Sequence, residues 1–180
     1  DRSEYFDSVQ DGLKRIGQTV ARLLDYSRRQ SPVSRVLDLR EISEACVSVM
    51  KYALKESQIR VRMEFNSETV AVYGDRTQLM QSGINILLNA IQASPPGSEI
   101  TISADFNSSR VRWLIEDEGV GIPAHLTKKI CEPFFTTKSK TKGTGLGLAI
   151  THRLLESNRG TIAFHPRSPK GTRVVVTLPN

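Results

Sequence analysis

Two glycine clusters bracket a basic segment between residues 117 and 149. The first reads Asp117-Glu118-Gly119-Val120-Gly121-Ile122-Pro123. The second, Gly143-Thr144-Gly145-Leu146-Gly147-Leu148-Ala149, runs straight into an apolar pattern with helical spacing. Between them stand Phe134-Phe135-Thr136-Thr137-Lys138, followed by Lys140 and Lys142. Glycines accept positive φ and let backbone N–H groups approach an anion. A helix that begins just after them adds its positive end. Together these features predict a phosphate cradle. The spacing is not that of a P-loop, because no Gly-Lys-Ser/Thr follows the glycines. Nor is it the dinucleotide fingerprint, because the third glycine comes one residue too early. A merely solvated basic loop is the alternative reading of the same lysines.

A second group of chemical side chains lies upstream. Residues 76–94 read as a helix, entered through Asp75 and closed by Pro95-Pro96-Gly97. Apolar residues nearly encircle it, which predicts burial and makes Gln81, Asn85 and Asn89 conspicuous. Asn85 and Asn89 are one helical turn apart and share a face. Buried amides need partners, supplied either by the backbone of the fold or by a ligand.

The elements that must hold these groups follow from periodicity. Residues 4–30 read as one helix with a heptad seam of Phe6, Val9, Leu13, Ile16, Val20 and Leu23, a pattern that calls for a partner helix or a homodimer. Ser31-Pro32 ends it and opens a linker over 32–37. Asp38 is set to cap a second helix, with Glu41 completing a capping box. Ile59 to Phe65 and Val70 to Tyr73 read as paired strands. Glu99 to Phe106 and Arg110 to Glu116 form a hairpin whose second strand delivers Asp117. A helix over Leu146 to Leu155 and strands at Thr161 to Phe164 and Arg173 to Leu178 complete the chain. Strands and helices mix without strict alternation, so the expected class is α+β, a two-layer sandwich with helices on one face of an antiparallel or mixed sheet.

Composition narrows the partners. At 180 residues and 38% hydrophobic, the chain can bury one full core, and no apolar run is long enough to span a bilayer. It begins at Asp1 without Met, so it is expected to be a piece of a longer protein. Cys46 and Cys131 have no metal or redox spacing and suit a reducing, cytoplasmic setting. The net charge of +6 suggests nucleic acid at first sight. The basic run sits inside the glycine-flanked loop with few aromatics, so a phosphate-rich small ligand is expected and nucleic acid is not.

In order, Asn85-Ile-Leu-Leu-Asn89-Ala90-Ile-Gln-Ala93, Asp117-x-Gly119-x-Gly121, Pro133-Phe134-Phe135-Thr136-Thr137-Lys138 and Gly143-Thr-Gly145-Leu-Gly147-Leu resemble the four boxes of sensor histidine kinase catalytic domains. These belong to the GHKL superfamily with DNA gyrase B and Hsp90, and share a Bergerat-type ATP-binding fold. The likeness is strong over 75–178 and extends by pattern over 38–74. Residues 1–31 are similar to part of the second helix of that family's dimerisation and histidine-phosphotransfer hairpin.

The resemblance implies ATP and Mg2+ as ligands and assigns roles. Asp117 would accept the adenine amino group, backed by Thr172. A carboxylate offers only acceptors and so selects an NH₂ over a carbonyl. Gly119 and Gly121 would let the backbone pass close to the base. Asn89 would hold Mg2+, which favours hard oxygen ligands. Gly143 to Leu148, with Thr144, Gly145, Leu146 and Gly147 among them, would line the triphosphate. Lys138 would neutralise the transferring phosphoryl group from a mobile lid, while Phe134 and Phe135 anchor that loop to the core. Asn85 and Lys138 take the catalytic positions. The hydrolytic relatives carry a water-activating glutamate one turn before the metal asparagine, and here that place is Asn85, which cannot take a proton at neutral pH. Transfer to an imidazole is therefore expected over rapid hydrolysis. None of His125, His152 and His165 has the acceptor's sequence pattern, so the accepting histidine is expected outside this chain. The expected partners are its own dimerisation and acceptor domain, as a homodimer, and a response regulator. An ATPase-type conformational switch and a non-catalytic scaffold are the alternatives.

Overall fold

The computed structural model describes residues 32–106, 109–137 and 144–180. The helix expected over 4–30 lies outside them. Among the described residues no helix is long and apolar enough to cross a membrane.

Among the described residues, seven strands and three α-helices make two layers. In chain order they are β1 (Arg35–Asp38), α1 (Leu39–Glu56), β2 (Arg60–Phe65), β3 (Ala71–Gly74), α2 (Arg76–Ala93), β4 (Glu99–Phe106), β5 (Arg110–Glu116), α3 (Gly147–Ser157), β6 (Thr161–Pro166) and β7 (Thr172–Pro179). Five strands form one mixed sheet in the order β2-β4-β5-β7-β6, and β1 and β3 form a separate two-stranded ribbon. The β2–β4 pair is parallel and the other pairs in the large sheet are antiparallel.

Alternation sets which face of the sheet is covered. Ile100, Ile102 and Ala104 of β4, Val111, Trp113 and Ile115 of β5, and Val174, Val176 and Leu178 of β7 are buried against the helices. Their sequence neighbours on the other face carry charge, such as the Arg112–Asp105 pair, a fork with both bonds made between β5 and β4. From the helical side α1 contributes Leu39, Ile42, Cys46, Met50 and Leu54, and α2 contributes Leu79, Ile86, Leu87, Ala90 and Ile91. Fully burying each such side chain contributes roughly 1.5–3 kcal/mol. At Gly83, α2 comes so close that a methyl group would stand 2.5 Å from the Trp113 ring and 2.8 Å from Cys46 Sγ.

The sandwich matches the expected class, but three local expectations fail. Residues 59–65 and 70–73 do not pair with each other. β2 lies parallel to β4, and β3 pairs antiparallel with β1, inside the stretch read as linker. Alternation reveals a strand's faces but not its neighbour. Helix α2 is also amphipathic rather than buried all round: Gln81, Asn85 and Asn89 lie on a half-open flank. Asp38 does cap α1, yet its Oδ1 accepts from the N–H of Arg40 (2.9 Å) rather than Glu41, and also from that of Val70 (3.1 Å). One carboxylate thus starts the helix and ties it to the segment leading into β3.

A polar knot fixes α3 against α2. Asp75 caps α2 by accepting from the N–H of Gln78 at 3.0 Å. The backbone N–H of Asp75 donates to Asn158 Oδ1 at 2.7 Å, and Asn158 Nδ2 donates to Gln78 Oε1 at 2.7 Å. Asn158 is buried, so its amide is spent on structure.

Candidate functional site

Asp117 follows the last residue of β5, beside the start of β7. Its N–H donates to the Thr172 carbonyl at 2.9 Å. In return Asp117 Oδ1 accepts from the N–H of Gly119 at 2.8 Å and from that of Thr172 at 3.1 Å. Its residue exposure is 4%, and Thr172 is equally buried. Burial pushes the Asp117 carboxyl above the usual carboxylate range, and the two backbone donors and then Arg167 pull it back. The result is a desolvated acceptor held in one orientation. Gly171, at φ +121°, makes this geometry possible, since a Cβ there would overlap the Asp117 carbonyl oxygen.

Gly119 also packs against α2. A Cβ there would meet the Ala93 carbonyl oxygen at 2.6 Å, so this glycine seats the loop on the C-terminal end of α2. Val120 N–H donates to the same carbonyl at 3.2 Å. Gly121, at φ +78°, approaches the Gly171 carbonyl.

The second glycine cluster meets α2 in its middle. Asn85 Nδ2 donates to the Gly147 carbonyl at 3.3 Å and to Thr151 Oγ1 at 3.4 Å. Thr151 Oγ1 itself donates back to Gly147 O at 3.0 Å. Asn85 therefore fastens the first turn of α3, and Asn89 follows one turn along on the same half-buried face. Leu146 is fully buried at the mouth of α3, whereas Thr144, Gly145, Gly147 and Leu148 are half-buried. A Cβ on Gly147 would meet nothing within 4 Å, which leaves its backbone approachable.

Phe134 departs from expectation. Its side chain is 64% exposed and does not anchor the loop. The backbone does so: Phe134 N–H donates to the Gly145 carbonyl at 3.0 Å, with Phe134 at φ +67°. Gly145 is also at φ +67°, and a Cβ there would collide with the Phe134 backbone. Lys138 and Gly143 lie outside the described residues, as do Lys140 and Lys142. Helix α2 thus touches both loops: Asn85 in its middle holds Gly147, and Ala93 at its end seats Gly119 and Val120. Burial pushes the Cys46 thiol up to about 12 and the Cys131 thiol up to about 11, so neither is a nucleophile at neutral pH.

Residues 74–180 match the family model described as histidine kinase-, DNA gyrase B- and HSP90-like ATPase. The chain belongs to this family. It is 32% identical to sporulation kinase A and 34% identical to sporulation kinase C of Bacillus subtilis strain 168, over 97% and 99% of its own length. It spans only 29% and 42% of those proteins. Among solved structures, the catalytic domain of histidine kinase ThkA superposes with a TM-score of 0.74 at 30% identity, covering 81% of this chain and 95% of that one. Histidine kinase ThkA in complex with response regulator protein TrrA gives 0.82 at 26% identity, covering 98% of this chain and 50% of the other. The family is an ATP-binding one, and the two-layer sandwich described above is its histidine kinase form.

Arg167 is the residue that the sequence did not announce. It belongs to no box and sits in the β6–β7 turn, where its N–H donates to the Gly171 carbonyl at 3.1 Å. Its one available signal was position, four residues before the Gly171-Thr172 step.

Proposed function

We propose that this chain binds Mg-ATP and passes the γ-phosphate to a histidine outside it, as the catalytic domain of a two-component sensor kinase. The observation that carries this reading is the buried, singly oriented carboxylate of Asp117, joined through α2 to the glycine cluster before α3. Adenine would lodge against Asp117 and Thr172, and the phosphates would reach the N-terminal end of α3, where Thr144 to Leu148 offer backbone donors. Lys138 would supply positive charge near the transferring group.

The donor set suits magnesium. Asn89 offers a hard amide oxygen on the flank facing the same region. Among the described residues no group of three or more His, Cys, Asp or Glu stands ready for a metal, a pattern suited to an ion that takes most of its ligands from phosphate and water. When bound, magnesium would neutralise phosphate charge, with Asn89 as its protein ligand.

Asn85 argues for transfer over hydrolysis. Its amide nitrogen is engaged with Gly147 and Thr151, and an amide cannot take a proton from water. The homodimer, the acceptor hairpin and the response regulator belong to the longer protein that this reading entails. The test is incubation of the chain with labelled ATP and a separately made acceptor-helix domain. Label should appear on that domain's histidine with little free phosphate. Efficient steady-state hydrolysis without transfer would favour the ATPase switch, and absence of ATP binding would leave a scaffold.

A further inference from the structure

We propose that Arg167 is a positioning residue for base recognition, clamping the Glu116-Asp117-Glu118 segment so that Asp117 stays ionised and fixed toward the purine. This rests on the ATP-binding reading above and adds to it a residue that no box contains.

The geometry is a three-point grip. Arg167 Nη1 lies 3.3 Å from Glu118 Oε1 and 3.4 Å from the main-chain carbonyl oxygen of Asp117, and Arg167 Nε lies 4.0 Å from Glu116 Oε1. The Arg167 side chain is 21% exposed and that of Glu116 16%, so this side of the grip is less screened than a surface pair, whereas Glu118, at 43%, meets it from the solvent side. Its own backbone is bonded to the Gly171 carbonyl, one residue before the Thr172 N–H that reaches Asp117 Oδ1. Arg167 therefore joins the β6–β7 turn to both sides of the site's buried acceptor.

The local charges make that grip necessary. Three successive acidic residues occupy the end of β5, and the middle one is buried. Glu116 is also paired with Arg173 at 2.8 Å, and Glu118 Oε2 accepts from the Glu99 N–H at 3.1 Å. Glu118 is held below its ordinary range first by that backbone bond and then by Arg167. The end of α2 that meets this loop does so through the uncharged Ala93, whose carbonyl accepts from the Val120 N–H. The charged groups around it are Glu116, Glu118 and Glu99 against Arg167, Arg173, Arg60 and Arg62. Removing Arg167 leaves its carbonyl without that donor and two like charges less compensated, which raises the pH at which Asp117 loses its charge.

The experiment is ATP binding by the full chain, followed by calorimetry with Mg2+ from pH 5 to 9, for wild type, Arg167→Met, Arg167→Gln and Arg167→Lys. Binding should weaken as pH falls through the Asp117 pKa. In Arg167→Met this acid limb should move to higher pH, so that at the wild-type midpoint ATP binds severalfold weaker. Arg167→Lys should keep the limb near its wild-type position, because charge is kept. An inosine nucleotide, with a carbonyl in place of the amino group, should bind weakly and without the acid limb. Trp113 fluorescence reports whether each variant folds, and Arg167→Gln carries the comparison if Arg167→Met does not. An unmoved acid limb, or equal losses for both nucleotides, overturns the proposal while leaving ATP binding intact. Absence of ATP binding by wild type overturns the underlying reading itself.

Discussion

Replacing Asp117 by Asn should weaken ATP binding strongly while leaving the protein as stable as before or slightly more so. Asn keeps an oxygen that can accept from the N–H groups of Gly119 and Thr172, which both reach Oδ1. The other terminal atom becomes NH₂, a donor set against the donor of adenine. Loss of a hydrogen bond to a charged acceptor is worth about 1.5–3 kcal/mol, or about 10- to 150-fold in Kd. Stability follows the opposite sign. The folded-state pKa of Asp117 is raised, so the folded protein holds this proton more tightly than the unfolded chain does. Its ionisation therefore costs stability as pH rises above the unfolded value, and the neutral amide escapes that cost. Calorimetry gives the affinity and thermal melting gives the stability. Unchanged ATP affinity would refute the adenine role, and a large fall in Tm would refute the claim that the carboxylate's charge is a stability burden.

Four further substitutions probe the remaining joints. Asn89→Ala should weaken Mg-ATP far more than metal-free ATP in parallel calorimetry; equal losses would remove its metal role. Asn85→Asp keeps the shape but sets oxygens against the Gly147 carbonyl, and should destabilise by about 1–3 kcal/mol in urea unfolding. Gly145→Ala forces a Cβ into the Phe134 backbone and strains the left-handed residue by about 1–3 kcal/mol. Hydrogen exchange at the Phe134 amide should then quicken by about 5- to 150-fold. Gly83→Ala drives a methyl at the Trp113 ring, costing about 1–3 kcal/mol, offset by up to about 1 kcal/mol of helix propensity. Denaturation followed by the fluorescence of the single tryptophan measures the difference.

What the sequence disclosed was local. The hairpin over 99–106 and 110–116 could be placed because alternation and a polar turn fall within one short window. The caps at Asp38 and Asp75 were readable for the same reason. Strand β1 was not, since four residues carry little periodicity and their partner lies 37 residues onward, at Val36 opposite Tyr73. The parallel neighbour of β2 was hidden by the intervening β3 and α2. At the site, the boxes named the residues proposed to face a ligand but not the contacts that position them. Gly119 accommodates the end of α2, and Phe134 holds by its backbone with its ring in solvent. Arg167 was invisible because a lone arginine in a turn has meaning only once its three carboxylate-bearing neighbours are placed.

The two ends of the site are built differently, and that difference has consequences. The end proposed for the base is made of strand termini: Asp117, Thr172 and Gly171 are buried and bonded across β5 and β7. The end proposed for the phosphates rests on the junction between Phe134 and Gly145 and on the Asn85 tether to α3, both outside the sheet. A nucleoside should therefore meet a preformed pocket, while the triphosphate meets a loop whose seating can change. If so, Gly145→Ala weakens ATP but spares adenosine, and Asp117→Asn weakens both alike. Equal sensitivity of adenosine to the two substitutions would mean that the glycine junction, too, shapes the base pocket, and that α2 couples the ends rather than merely joining them.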